Sequence, residues 1–312
     1  MSVFDGVRGL RGGAVIAGPL EVRYVDTGDG PGRGGAPIVL VHGTGGTTGT
    51  HFADLLPMLA FRRRVIGVDL TDPPGAATPT LQQFAAQVEA VIRTVAPGEP
   101  VTLLGYSLGA VVATVVASDA PELIDTLVLV AGWLTTDREQ SLRNRIALTL
   151  HASDLDALAQ FLVFTTFGAP YLSKRLPAEI DALVASFRAR IGAGPGWRAQ
   201  MELNRTIDVA AHAYRVQAPA LVVGATYDKT APIHHSRLLF GAIDNSRYVE
   251  IASGHGVTTE RPAELYWLVE QFTANPKLTP PGSIWHSAPL SVLTPTGLEG
   301  LSIPPVLPTP QR

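Results

Sequence analysis

Ser107 stands in the pentapeptide Gly105-Tyr106-Ser107-Leu108-Gly109, between the apolar run VTLL and a stretch of small apolar residues. A strand that turns into a helix within so few residues brings side chains two positions either side of the serine into collision, which accounts for glycine at 105 and 109. Such a turn lifts a hydroxyl to the carboxyl end of a sheet, above a helix N-terminus whose backbone N–H groups can hold a developing oxyanion. The chemistry this fits is nucleophilic attack on a carbonyl. The N–H of Leu108 is one expected donor to the oxyanion, and the backbone N–H of Thr44, in the loop VLVHGTGGTTG, is the other.

A serine hydroxyl attacks only when a neighbouring base takes its proton and a third group orients that base. Of eight histidines, His255 lies in the loop SGHG, just past the strand-like SRYVEIA and just before the last helix. That position belongs to the same sheet edge as Ser107. His42 also ends a strand, but the glycines after it read as a structural turn. His51, His151 and His212 fall in helical patterns as surface or packed residues. His234 and His235 are neighbours on a helix and should point apart, so no metal pair is expected. For the orienting acid, Asp228 closes the run LVVGATYD and is favoured; Asp137, beyond another strand, is the rival, and capping of the next helix is the simpler role for Asp228.

These residues require a scaffold that aligns strand ends. PLEVRYVDTG alternates as a half-buried strand and pairs with AVIAG before it. PIVLV, RVIGVDL, VTLL, DTLVLVAG, PALVV and SRYVEIA are apolar without alternation and separated by helices near 51–59, 80–95, 108–117, 233–240 and 262–274. Strands of that kind are buried on both faces. The fold class is therefore α/β, with a mostly parallel central sheet, helices on both faces and a helical insertion. The core is expected over 1–135 and 213–275, and the insertion over 136–212, where four amphipathic segments follow one another without a strand. Residues 276–312 form a Pro-rich apolar tail with no helical or strand period, read as a strap on its own subunit or on a dimer partner.

The bulk composition narrows the function classes. The chain has 312 residues, 46% hydrophobic and 16% charged, with a net charge of −3, which offers no broad basic face for nucleic acid. The absence of cysteine excludes disulfides, thiol nucleophiles and thiolate metal sites. No apolar run approaches the ~20 residues of a membrane span, and the first residues lack the features of a secretory signal, so the cytoplasm is the default location. The basic residues are nearly all arginine, which with abundant Ala, Gly and Pro indicates a GC-rich bacterial genome. The loop at 42–46 has no Lys-Ser/Thr after it and is no phosphate loop; Gly30, Gly32 and Gly35 match a dinucleotide motif but precede a strand, so that match is accidental.

HGTGG, GYSLG, GATYDKTAP and SGHGVTTERPAEL, in this order, resemble the α/β-hydrolase superfamily, in particular its small capped bacterial enzymes such as enol-lactonases, carbon–carbon bond hydrolases and cofactor-free haloperoxidases. The likeness runs from about residue 14 to 274. It implies a Ser107–His255–Asp228 triad, with the acid between serine and histidine in chain order, an oxyanion site at Thr44 and Leu108, a helical cap, and no cofactor or metal. It also implies attack on an ester, lactone, thioester or activated ketone, with non-hydrolytic carbon–carbon, lyase or cyclisation chemistry as the alternative and a receptor-like role as the third. DLTDPPGAATP departs from the family's usual Asp-x-x-Gly-x-Gly-x-Ser, so the loop at 72–77 should shape the pocket differently. Trp133, Phe161, Phe164, Phe167, Tyr171 and Trp197 are the candidates to line a pocket for a small apolar or aromatic substrate, although packing within the insertion is the commoner role of aromatic residues at helical spacing. Arg143, Arg145, Arg188, Arg190 and Arg198 could hold a carboxylate, although solvated helix faces are the favoured reading.

Overall fold

The computed structural model describes residue 4 and residues 6–30, 34–74, 78–191 and 196–286. The first strands, β1 (Arg11–Ala17) and β2 (Leu20–Asp26), form an antiparallel hairpin; then come β3 (Ile38–Val41), short helices α1 (Thr48–His51) and α2 (Leu55–Ala60), β4 (Val65–Asp69), α3 (Leu81–Val95), β5 (Val101–Tyr106), α4 (Leu108–Asp119) and β6 (Ile124–Val130). Helices α5 (Arg138–Ser153), α6 (Leu155–Thr166), α7 (Ala169–Leu172), α8 (Pro177–Ile191), α9 (Gly196–Leu203) and α10 (Ala210–Ala213) follow without a strand. The sheet resumes with β7 (Ala220–Ala225), α11 (Ile233–Ala242), β8 (Ser246–Ile251), α12 (Val257–Glu260), α13 (Pro262–Ala274) and β9 (Ile284–His286).

The nine strands form one sheet in the order β1-β2-β4-β3-β5-β6-β7-β8-β9. β2 runs antiparallel to β4, and every later pairing is parallel. Alternate residues of the central strands feed opposite faces. Val39, Val41 and Leu103 pack with α3, α4 and α11, whereas Ile38, Leu40 and Leu104 pack with α2 and α13. Burial on both sides explains the unbroken apolar runs, each large side chain contributing about 1.5–3 kcal/mol. Helix α3 starts where Thr80 and Gln83 exchange side-chain to backbone hydrogen bonds, and it turns Phe84, Val88, Val91 and Ile92 to the sheet. Helix α4 has no polar face because Leu108 to Ala117 are all buried.

In the segment 136–212 the helices are joined by turns, with no strand among the described residues. A bridge between Thr135 and Asp208 closes its two ends, while Val209, near its C-terminal end, and Ala213, just beyond it, belong to the core that packs on α4. Helices α5, α6, α8 and α9 share a small core of their own, with Ala147, Leu158, Leu162, Trp197 and Met201 buried in it.

The tail begins with a strand that no period in its sequence announces, laid against its own subunit. Tyr248, Val249 and Glu250 pair in parallel with Ile284, Trp285 and His286, and the Arg247 guanidinium donates to the Thr279 carbonyl from Nε at 2.9 Å and Nη2 at 2.7 Å. The indole Nε1–H of Trp285 donates to Thr279 Oγ1 at 3.0 Å, and its ring meets Phe272 edge-on. Three residues between prolines and turns are too few for a periodic signal, so only the open edge of β8 reveals them as a strand. The remaining apolar residues of the tail, from Leu290 to Leu307, lie outside the described residues. Among the described residues no helix is long and apolar enough to cross a membrane.

Candidate active site

Ser107 joins β5 to α4 with φ 58° and ψ −122°, a left-handed conformation that costs a non-glycine residue of order 1–3 kcal/mol. Its neighbours leave no alternative. A Cβ at 105 would lie 2.2 Å from the Gly109 carbonyl oxygen, and one at 109 would lie 2.1 Å from that of Val41. The Ser107 N–H donates to the Val130 carbonyl at 2.9 Å and pins the turn to the neighbouring strand.

Beyond β8, the loop that carries His255 is fixed from several directions. Tyr106 Oη donates to the His255 carbonyl at 2.9 Å, the Gly256 N–H donates to Thr166 at 2.9 Å, and Glu260 Oε1 accepts from Gly254 at 3.1 Å and Gly168 at 2.9 Å. Burial, with Asp228 and Glu260 nearby, pushes the Tyr106 phenol far above its ordinary value, so it stays a donor. Asp228 follows β7, and its Oδ1 accepts from the backbone of Thr230 at 2.7 Å and Ala231 at 2.8 Å. That leaves Oδ2 for the imidazole. Asp228 Oδ2 and His255 Nδ1 are 2.6 Å apart, and His255 Nε2 and Ser107 Oγ are 2.8 Å apart. Three side chains from three strand ends thus form one buried chain of hydrogen bonds.

The loop after β3 faces the serine so closely that a Cβ at Gly43 would come within 2.8 Å of Ser107 Cβ. The N–H groups either side of Thr44 are engaged. Gly43 donates to His51 Nδ1 at 3.0 Å and Gly45 to Gln200 Oε1 at 2.8 Å. Thr44 Oγ1 accepts from Asn204 Nδ2 at 2.8 Å, whereas the Thr44 N–H meets no acceptor among the described residues. Leu108 opens α4, where a backbone N–H has no partner within the helix. His42 is the structural histidine of this turn: Nδ1 donates to the Gly43 carbonyl at 2.8 Å and Nε2 accepts from Leu70 at 2.9 Å.

A cavity of about 270 Å³ lies over Ser107, between the sheet edge and the helical insertion. Trp133, Phe167 and Trp197 line it as expected, together with Leu162, Phe187 and Met201. Phe161, Phe164 and Tyr171 do not. On α6 the residues turned to the cavity are Leu162 and Thr166, one turn apart, and Phe161 and Phe164 lie off that stripe. Phe161 packs within the insertion, Phe164 is 57% exposed under Lys229 Nζ, and Tyr171 stacks on the outer side of Phe167 beside Arg175.

Several lining residues carry no hydrophobic signature and escape a search for apolar stripes. On α5 the inward positions are polar: Gln140, Arg143 and Asn144, with the spacing of one helical turn. Arg190 on α8 and Asn204 after α9 join them. His51, expected to be a packed helical residue, faces the cavity edge-on to Tyr106. Burial foremost, then the nearby His42, Arg190 and His255, hold its pKa well below the ordinary value, so Nδ1 stays free to accept. In place of the usual loop sequence after β4, Asp72 receives Gln200 Nε2 at 2.9 Å, tying that loop to α9; residues 75–77 lie outside the described residues.

Asp137, the rival acid, is elsewhere. It caps α5 through Gln140, and its Oδ2 lies 2.8 Å from His234 Nε2 and 3.3 Å from His235 Nε2. The two histidines therefore do not point apart as expected, because residues at the first turn of α11 can both lean toward one carboxylate. Their ring centroids are 4.2 Å apart. These three ligand atoms, within 4.8 Å of one another, are the described group able to hold a metal ion, outside the serine's cavity.

A family model described as the alpha/beta hydrolase fold matches residues 36–262. The pyrrolizixenacetamide deacetylase of Xenorhabdus hominickii is 31% identical over 264 residues, 83% of this chain and 96% of that protein. Among solved structures, Rv0554 of Mycobacterium tuberculosis superposes with a TM-score of 0.71 at 27% identity, over 84% of this chain and 97% of the other. The enol-lactonase of Burkholderia xenovorans LB400 superposes with a TM-score of 0.72 at 21% identity, over 84% of this chain and all (100%) of the other, a likeness of fold alone.

Proposed function

Because the chain belongs to the α/β-hydrolase family, we propose that it is a serine hydrolase that cleaves an acyl bond of a small substrate with an apolar or aromatic body through an acyl-enzyme. The observation that carries this reading is the hydrogen-bonded chain from Ser107 Oγ through His255 to Asp228, at 2.8 Å and 2.6 Å. As Ser107 Oγ bonds to the substrate carbonyl carbon, its proton passes to His255 Nε2 and the carbonyl oxygen becomes an oxyanion. The N–H groups of Thr44 and Leu108 receive that charge, each such donor being worth about 3 kcal/mol of barrier. Asp228 holds the Nδ1–H tautomer and stabilises the imidazolium. Collapse of the intermediate expels the leaving group with the proton from His255. Water then gives a proton to His255 and its oxygen to the acyl carbon, and Ser107 leaves with that proton restored.

The cavity, about 270 Å³, is near the lower bound for small-molecule sites and fits a compact substrate. The helical insertion acts as the cap that shapes it. Esters, lactones, thioesters and activated ketones all present a suitable carbonyl. An amide is a second reading, favoured by the likeness to a deacetylase whose name specifies an acetamide. The test is labelling with a fluorophosphonate, read by mass spectrometry, beside turnover of 4-nitrophenyl acetate. An adduct on Ser107 that disappears with turnover in Ser107→Ala is expected; turnover retained in that variant refutes the proposal.

A further inference from the structure

Among the described residues, other shielded guanidinium groups are neutralised or wrapped. Arg63 meets Glu270 at 2.8 Å, Arg64 meets Asp26 at 2.7 Å, and Arg247 closes around the Thr279 carbonyl. Arg143 differs. It reaches into the serine's cavity from α5, and its hydrogen bonds go only to neutral oxygens, Asn144 Oδ1 at 3.1 Å and Thr165 Oγ1 at 3.0 Å. Its Nε–H is shielded from solvent and has no acceptor. Arg190 enters the same cavity from α8 with its guanidinium over the Phe187 ring, 4.1 Å from the centroid, and no ion pair involves it among the described residues. No carboxylate lines the cavity among the described residues; Asp228, the nearby acid, stands behind His255.

A shielded cation with no carboxylate bound to it has lost part of its hydration without the ion pair that would offset the loss. Burial already pulls the Arg143 guanidinium down to about 10, and Arg190 is lowered by the same cause. Two such groups facing one small cavity make its potential positive, and a planar guanidinium that now donates only to neutral oxygens can take a carboxylate in their place. The solvated-face reading of the arginines fails for these two. It holds for Arg188, whose half-exposed side chain pairs with Asp156.

We infer that the cavity is a binding site for an organic anion: the substrate carries a carboxylate beside its apolar body, received by Arg143 with Arg190 as the second positive charge. The inference rests on the serine-hydrolase reading only for the word substrate, since the anion site stands on the two arginines alone.

The experiment measures binding of 4-phenylbutyrate and of its neutral amide, 4-phenylbutyramide, by titration calorimetry to Ser107→Ala, which separates this outcome from that of the serine labelling. The acid should bind more tightly than the amide by about tenfold or more, as a charge-assisted hydrogen bond requires. Adding Arg143→Met should bring the ratio close to one, Arg143→Lys should keep part of it, and Arg190→Gln should reduce it. Because Arg143→Met removes an uncompensated cation, its melting temperature should stay level or rise, an outcome that a merely structural arginine would not give. Equal binding of acid and amide, including no binding of either, overturns the inference, as does an acid preference that survives both Arg143→Met and Arg190→Gln. Should Arg143→Met not fold, Arg143→Gln replaces it in the same comparison.

Discussion

Replacing Asp228 with Asn changes one atom and should nearly silence the enzyme, for a reason set by the backbone around it. Oδ1 accepts from the N–H groups of Thr230 and Ala231 at 2.7 and 2.8 Å. An asparagine must keep its carbonyl oxygen there, because a flipped amide would set its own N–H groups against two buried donors at about 2 kcal/mol each, or about 10³-fold in population. The amide NH₂ therefore faces His255 Nδ1, 2.6 Å from the present Oδ2. Nδ1 becomes an acceptor, the ring proton moves to Nε2, and Nε2 points that proton at Ser107 Oγ where a base is required. With the charge that stabilises the imidazolium also gone, kcat for 4-nitrophenyl acetate should fall by about 10³–10⁴, with KM little changed. Fluorophosphonate labelling of Ser107 should slow in parallel, while the melting temperature stays close to wild type because every hydrogen bond is kept in some form. A loss smaller than about tenfold would show that Asp228 does not set the tautomer.

Three further outcomes follow from the same geometry. Asn204→Ala removes the 2.8 Å hydrogen bond to Thr44 Oγ1 and should lower kcat by about tenfold with a smaller change in KM, because the loosened loop carries the oxyanion donor; steady-state kinetics check it. Gly109→Ala drives a Cβ to 2.1 Å from the Val41 carbonyl oxygen, where neither backbone can yield, and urea unfolding should show a loss of about 3 kcal/mol or more. His42, His51 and His235 have folded pKa values lowered chiefly by burial from an ordinary 6.5. Above that pH both states are neutral and the stability is complete; as pH falls below it the unfolded chain takes up protons first, and stability drops by up to about 1.4 kcal/mol per pH unit for each histidine until the folded values are reached. Melting temperatures measured from pH 7.5 to 5 should decline, and a flat profile contradicts the sign.

How much of this was legible before folding depended on the range of the interactions involved. The elbow is local: Gly105 and Gly109 are demanded by contacts within one turn and the strand beside it, and the pentapeptide announces them. The two-sided burial of β3, β5 and β7 is likewise written as apolar runs, and the order serine, acid, histidine is what the resemblance to the α/β-hydrolases implied. The direction of a side chain on a helix of the insertion is a different matter. Phe161 and Phe164 fall off the cavity stripe because the packing of α6 against α5 and α8 sets its rotation, and aromatic content alone does not report that rotation.

The amino-acid sequence by itself determined the α/β class, the helical insertion, and Ser107, Asp228 and His255 as candidates, since each is marked by backbone chemistry or by burial within a few residues. The tertiary structure decided which polar groups meet. Gln200 and Asn204 reach back 155 and 160 residues to Gly45 and Thr44, Asp137 gathers His234 and His235, and Arg143 and Arg190 face one cavity that no carboxylate lines among the described residues. Polar side chains leave no periodic trace when they point inward, and their partners are chosen by the packing of whole helices. The positive character of the cavity is therefore a property of the assembled fold, absent from any one segment of the chain.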